Sequence, residues 1–87
     1  MSIENLSIRQ VKAARELLAW SQETLAERSG LGISTIMRLE AKDGELGGRM
    51  ETREKIRTAL ESAGVEFLDE NGGGPGVRLR KAKRKGK

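Results

Sequence analysis

The residues of this sequence best suited to ionic chemistry are cations gathered at one end. Arg78, Arg80, Lys81, Lys83, Arg84, Lys85 and Lys87 fall within ten positions, with no acid among them. Such a run can neutralise phosphates. Residues 1–77 hold 10 basic against 13 acidic groups, so the net charge of +4 divides into a mildly acidic body and a strongly basic tail. A second set, Ser34, Met37 and Arg38, shares the outward face of a short helical pattern and offers a hydroxyl, a thioether and a guanidinium. Catalysis finds little to work with. The chain has no cysteine and no histidine, which excludes disulfides, thiolate metal sites, cysteine nucleophiles and imidazole acid–base chemistry. No cluster of acids and no nucleophile beside a base is visible, so no enzyme activity, cofactor or metal is expected.

These side chains need elements to hold them. At 87 residues the chain is expected to be one domain with a single modest core. With 36% hydrophobic residues and only Trp20 and Phe67 as aromatics, that core must be aliphatic, and Trp20 should lie in it. No apolar run approaches the roughly 18 residues of a membrane span. The first residues lack a basic-then-apolar signal, so the whole chain is expected in a mature, cytoplasmic protein.

Ser7 three positions before Gln10 forms a capping-box pattern, followed by Ile8, Val11, Ala14 and Leu18 at helical spacing, which predicts a first helix over about 8–19. Ser21 can accept from the amide of Glu23 or Thr24 as the N-cap of a second helix, which runs to about Ser29 and buries Leu25 and Ala26. Gly30 suits a left-handed helix stop, and Leu31 can then enter the core. Gly32 serves as N-cap of a third helix from Ile33 to about Ala41, with Ile36 and Leu39 inward. "KDGELGGR" reads as a polar loop, and "METREKIRTALESAG" as a fourth helix with Ile56, Ala59, Leu60 and Ala63 on one side and Gly64 as its stop. Beyond it the period falls to two. "VEFL" and "VRLR" across "DENGGGPG" predict a hairpin with Val65, Phe67, Val77 and Leu79 on one face and Glu66 opposite Arg78 or Arg80 on the other. The last seven residues are expected to be a disordered basic tail.

Gln22, Leu25, Ala26, Gly30, Ile36, Leu39 and Glu40 carry a resemblance: residues 8–64 resemble the helix-turn-helix domain of the Cro and phage-repressor (XRE) family. The small Ala26 would let the third helix approach the second, Gly30 would make the turn, and Ile36 and Leu39 would seat the third helix. The resemblance implies an all-α, four-helix Cro/repressor-like domain over residues 1–64, extended by a hairpin over 65–80 and the basic tail over 81–87. It also implies an ion pair between Arg15 and Glu40, which makes Glu40 structural. In the family the N-terminal half of the third helix enters the DNA major groove. Carried over, Ile33, Ser34, Met37 and Arg38 would face base edges, and Gln22 and Thr35 would hold phosphates. Arg38 can grip guanine through two hydrogen bonds, and Ile33 or Met37 can cover a thymine methyl. Lys42 and Arg49, flanking the glycine-rich loop, are further phosphate candidates. Gly32 and Ile33 depart from the more polar residues usual at those positions, and Arg53 stands where an apolar residue is common.

The tail can be a solubilising coil, an auxiliary DNA arm or a docking peptide for a protein. Against an acidic body, electrostatics favours the arm. The hairpin can cap the core or, through Val65, Phe67, Val77 and Leu79, join two copies by their sheet edges. The resulting expectation is a bacterial or phage transcription regulator associated with the nucleoid. It would bind double-stranded DNA as a homodimer, most simply as a repressor on an inverted-repeat operator. The alternative is an antitoxin that binds its own operator and a partner toxin.

Overall fold

The computed structural model describes residues 6–68 and 75–80. Four helices, α1 (Ile8–Leu18), α2 (Gln22–Ser29), α3 (Ile33–Glu40) and α4 (Met50–Ser62), precede two strands, β1 (Val65–Leu68) and β2 (Gly76–Leu79), which pair antiparallel. The described chain is thus mainly helical with one small two-stranded sheet.

Local chemistry sets the helix ends. Ser7 Oγ accepts from the amide of Gln10 and Gln10 Oε1 accepts from the amide of Ser7, both at 3.0 Å, completing the capping box of α1. Ser21 Oγ accepts from the amide of Thr24 at 3.0 Å and caps α2. Gly30 ends α2 in the left-handed region at φ 77°. α1 ends one residue earlier than its apolar spacing suggests. Ala19 itself adopts the left-handed conformation (φ 59°), and its amide reaches back to the carbonyls of Arg15 and Glu16. An alanine there carries a steric cost that glycine avoids.

α2 packs on α3 and α4, α1 on β2 and α3, and α4 on β1. Ile8, Val11, Leu25, Ile36, Ile56, Leu60 and Val65 are the largest fully buried side chains. Trp20 lies at the margin of this aliphatic core, half-buried, with the Arg28 guanidinium 5.1 Å from its ring centroid. Two core leucines carry no periodic signal. Leu6 and Leu46 are both buried, because the loop after α3 doubles back along the segment before α1. The Leu46 amide donates to the Leu6 carbonyl at 2.7 Å and the Ile8 amide to the Gly44 carbonyl at 2.8 Å, and Ser7 and Glu45 form an antiparallel bridge. The loop expected to be merely polar is therefore pinned at its middle. Asp43 tightens the same corner. Its carboxyl is held below the usual range first by the Gly44 amide and then by Arg9, whose guanidinium donates to both oxygens at 3.1–3.2 Å. That contribution is present above the ordinary carboxylate range and fades as pH falls through the lowered pKa; at full exposure it is small.

The hairpin register pairs Val65 with Leu79, Glu66 with Arg78 and Phe67 with Val77. Arg78 Nε donates to Glu66 Oε1 at 2.7 Å on the outer face. Gln10 Nε2 donates to the carbonyls of Gly76 (3.0 Å) and Leu68 (3.4 Å), fastening the end of the hairpin where β1 stops and β2 starts to α1. Of the four residues expected at a dimer contact, Val65 is fully buried in the core, Phe67 and Val77 pack against that core, and only Leu79 is exposed, at 44%. The apolar face of the hairpin is therefore used largely within the chain. The expected disordered tail over 81–87 lies outside the described residues.

Candidate nucleic-acid interface

α3 has two unlike faces. At about 100° per residue, Ile33, Ser34, Met37 and Arg38 fall within an arc of about 140°. All four are exposed, while Ile36, Leu39 and Glu40 turn inward. No side chain caps the helix at Gly32, so its first amides are free of side-chain partners. Thr35 flanks the outer face and is half-buried. Lys42 and Arg49 are exposed at the two ends of the loop that follows, and Arg49 is the N-cap residue of α4.

A polar lock fixes this helix. Arg15 Nε and Nη2 donate to the two carboxylate oxygens of Glu40, both at 2.9 Å, in the two-pronged geometry that a planar guanidinium favours. Arg15 Nη1 also donates to the Trp20 carbonyl at 3.0 Å. The side chains are 14% and 4% exposed, so the end of α3 is tied to α1 and to the α1–α2 junction by an almost dry ion pair. Gln22 joins the same lock: its Nε2 donates to Glu40 Oε1 at 2.9 Å. Glutamine at the start of α2 thus orients the carboxylate that holds α3. An amide NH2 carries two hydrogens, so this bond leaves a second for another acceptor.

The arginine that stands in an apolar position of α4 is partly buried. Arg53, in the first turn of α4, keeps its Nε buried with no hydrogen-bond partner. The signal for it was an arginine in the row it shares with Ile56 and Leu60. Among the described residues no group of three or more acids is placed to hold a metal ion, and no helix is long and apolar enough to cross a membrane.

A search of curated proteins finds no match to the chain. A family model described as helix-turn-helix matches residues 11–50, from the first turn of α1 through α2, the turn at Gly30, α3 and the loop beyond it to the first residue of α4. The matched stretch contains the whole Arg15–Gln22–Glu40 lock and the two-faced helix it holds. Residues 11–50 are accordingly a DNA-binding helix-turn-helix domain of the XRE family, the kind found in transcription regulators.

Proposed function

We propose that the protein is a sequence-specific transcription repressor that binds an inverted-repeat operator as a homodimer, with α3 in the major groove. The observation that carries this reading is the outer face of α3. It combines a guanidinium, a hydroxyl and two apolar side chains on a helix locked at its far end, so that the groups meeting base edges are held by the fold. Arg38 reads guanine and Ser34 accepts or donates at a neighbouring base edge. Gln22, through its second amide hydrogen, and Thr35, Lys42 and Arg49 hold phosphates and set the register. Residues 1–64 form the DNA-binding unit, and residues 81–87 act as an arm along the backbone.

Selection from randomised duplexes tests this directly, since it returns the half-site, its symmetry and its spacing together. Arg38→Ala should cost about 1–3 kcal/mol at one base position and relax preference there, while Gln22→Ala should weaken all sequences more evenly. Unchanged preference and affinity in both variants would remove α3 from the groove.

The homodimer rests on the hairpin. A two-stranded sheet has two open edges, and pairing one with its symmetry copy relates two domains by a two-fold axis. The operator should then contain half-site centres about 34 Å apart, or a multiple of that. Leu79 is the clean probe, because its side chain is exposed whereas Val65, Phe67 and Val77 support the core. Leu79→Asp should leave the fold and half-site binding intact and abolish cooperative binding to the full site. A wild-type protein that sediments as a monomer and protects one half-site would refute the dimer. The antitoxin role uses the same DNA-binding face, and a toxin that co-purifies through the C-terminal region would distinguish it.

A further inference from the structure

Among the described residues, five large apolar side chains are exposed: Leu17, Ile33, Met37, Met50 and Leu79. Ile33 and Met37 differ from the others in lying four positions apart on one helix, so their side chains adjoin. Ile33 is 38% and Met37 52% exposed. The core does not require them, since Ile36 and Leu39 already seat α3. They form an apolar strip within the face that also presents Ser34 and Arg38, continuous with the DNA-binding surface. Hydrogen-bonding groups of the bases gain nothing from such a strip. In the major groove its natural counterpart is the thymine C5-methyl group.

We infer that Ile33 and Met37 read two thymine methyl groups, and that this pair adds to hydrogen bonding in setting operator preference. The inference rests on the placement of α3 proposed above. Four residues of helix rise by about 6 Å, and successive base pairs are about 3.4 Å apart, so the two methyls belong to base pairs about two steps apart. The two contacts also differ in kind. A β-branched isoleucine in a helix is held near one χ1 rotamer, so Ile33 meets a methyl in one position only. Methionine has three rotatable bonds and a polarisable sulfur, so Met37 tolerates a methyl on either strand of its base pair.

Replacing thymine by uracil removes the methyl and leaves every base-edge hydrogen-bonding group in place. The selected half-site is therefore to be compared with the same duplex carrying deoxyuridine, at each thymine singly and at all together. Each sensed methyl should be worth about fourfold in affinity and the two together about fifteenfold, with no change on random duplexes. Ile33→Ala should erase the effect at one position and Met37→Ala at the other, each leaving its neighbour's effect in place. If a variant fails to fold, the wild-type comparison still decides. Equal affinity for thymine and uracil half-sites, with sequence preference retained, overturns methyl reading and leaves the repressor function standing. Alanine variants with unchanged affinity also overturn it and assign the strip to a protein partner. Absence of any preferred sequence would overturn the repressor reading and this inference with it.

Discussion

Arg15→Ala should lower stability by about 3–5 kcal/mol, because it leaves the Glu40 carboxylate almost wholly buried with Gln22 as its remaining side-chain partner. It also takes a donor from the Trp20 carbonyl. Small domains hold about 5–15 kcal/mol in total, so a loss of this size is a large share of the margin, and urea denaturation followed by circular dichroism should find the unfolding midpoint moved to markedly lower urea. The size of this loss measures an unpaired buried charge rather than the net worth of the pair. Replacing both members by apolar residues, Arg15→Met with Glu40→Leu, should therefore recover most of it, since buried ion pairs often contribute little net stability. DNA binding should not recover to the same extent. The end of α3 would lose its two-pronged tie to α1, and Gln22 would lose the group that orients it. A loss below about 1 kcal/mol for Arg15→Ala would mean that the pair behaves like a solvated surface bridge, and the lock would not be one.

The second large effect concerns the cations at the end of the chain. Of these, the two among the described residues are engaged by the fold: Arg78 with Glu66, and Arg80 with the Glu61 carbonyl at 3.1 Å. Lys81, Lys83, Arg84, Lys85 and Lys87 remain as candidates for the proposed arm. Deleting residues 81–87 removes all five and keeps both strands. If each touches a phosphate, the slope of log affinity against log salt should become shallower by about 0.9 per contact, so by at most about 4.5. Over a fourfold range of salt that amounts to a change of up to about 500-fold in how steeply binding falls. Specific and random DNA should be affected alike and the preferred half-site should stay the same, because a lysine-rich arm carries no base code. An unaltered slope on both kinds of DNA would reassign the tail to solubility or to a protein partner.

What could be read from the sequence was whatever is written locally. The capping serines, the left-handed Gly30, the inward Ile36 and Leu39 and the two-residue alternation of the hairpin each depend on neighbours a few positions away, and each of these elements forms within a residue or so of its expected bounds. What escaped depends on distant partners. Leu46 is one leucine in a polar loop, without periodicity, and its burial follows from a pairing with Leu6 forty positions earlier. Gln10 was legible as half of a capping box, but its amide group's attachment to Leu68 and Gly76 exists only once the hairpin has folded against α1. In the candidate site, the outer residues of α3 followed from helical geometry and the family resemblance. The bond from Gln22 to Glu40 did not, because a glutamine at a helix start carries no mark of which acceptor it will find. Ala19 gave no sign of its left-handed backbone, a role that glycine more often announces.

The division of α3 into an inward and an outward set has a consequence for how such a regulator can diverge. Ile36, Leu39 and Glu40 are committed to the interior, whereas Ile33, Ser34, Met37 and Arg38 are exposed and outside the core. Exposed substitutions away from special features generally change stability by within about 0.5 kcal/mol, so a duplicated copy could change its operator one residue at a time without passing through an unfolded intermediate. Selection for a new target and selection for a stable fold would act on separate residues of the same eight-residue helix. Gln22 is the exception: it is bound to the lock and proposed to touch DNA, so it should be the slowest of the proposed DNA contacts to drift.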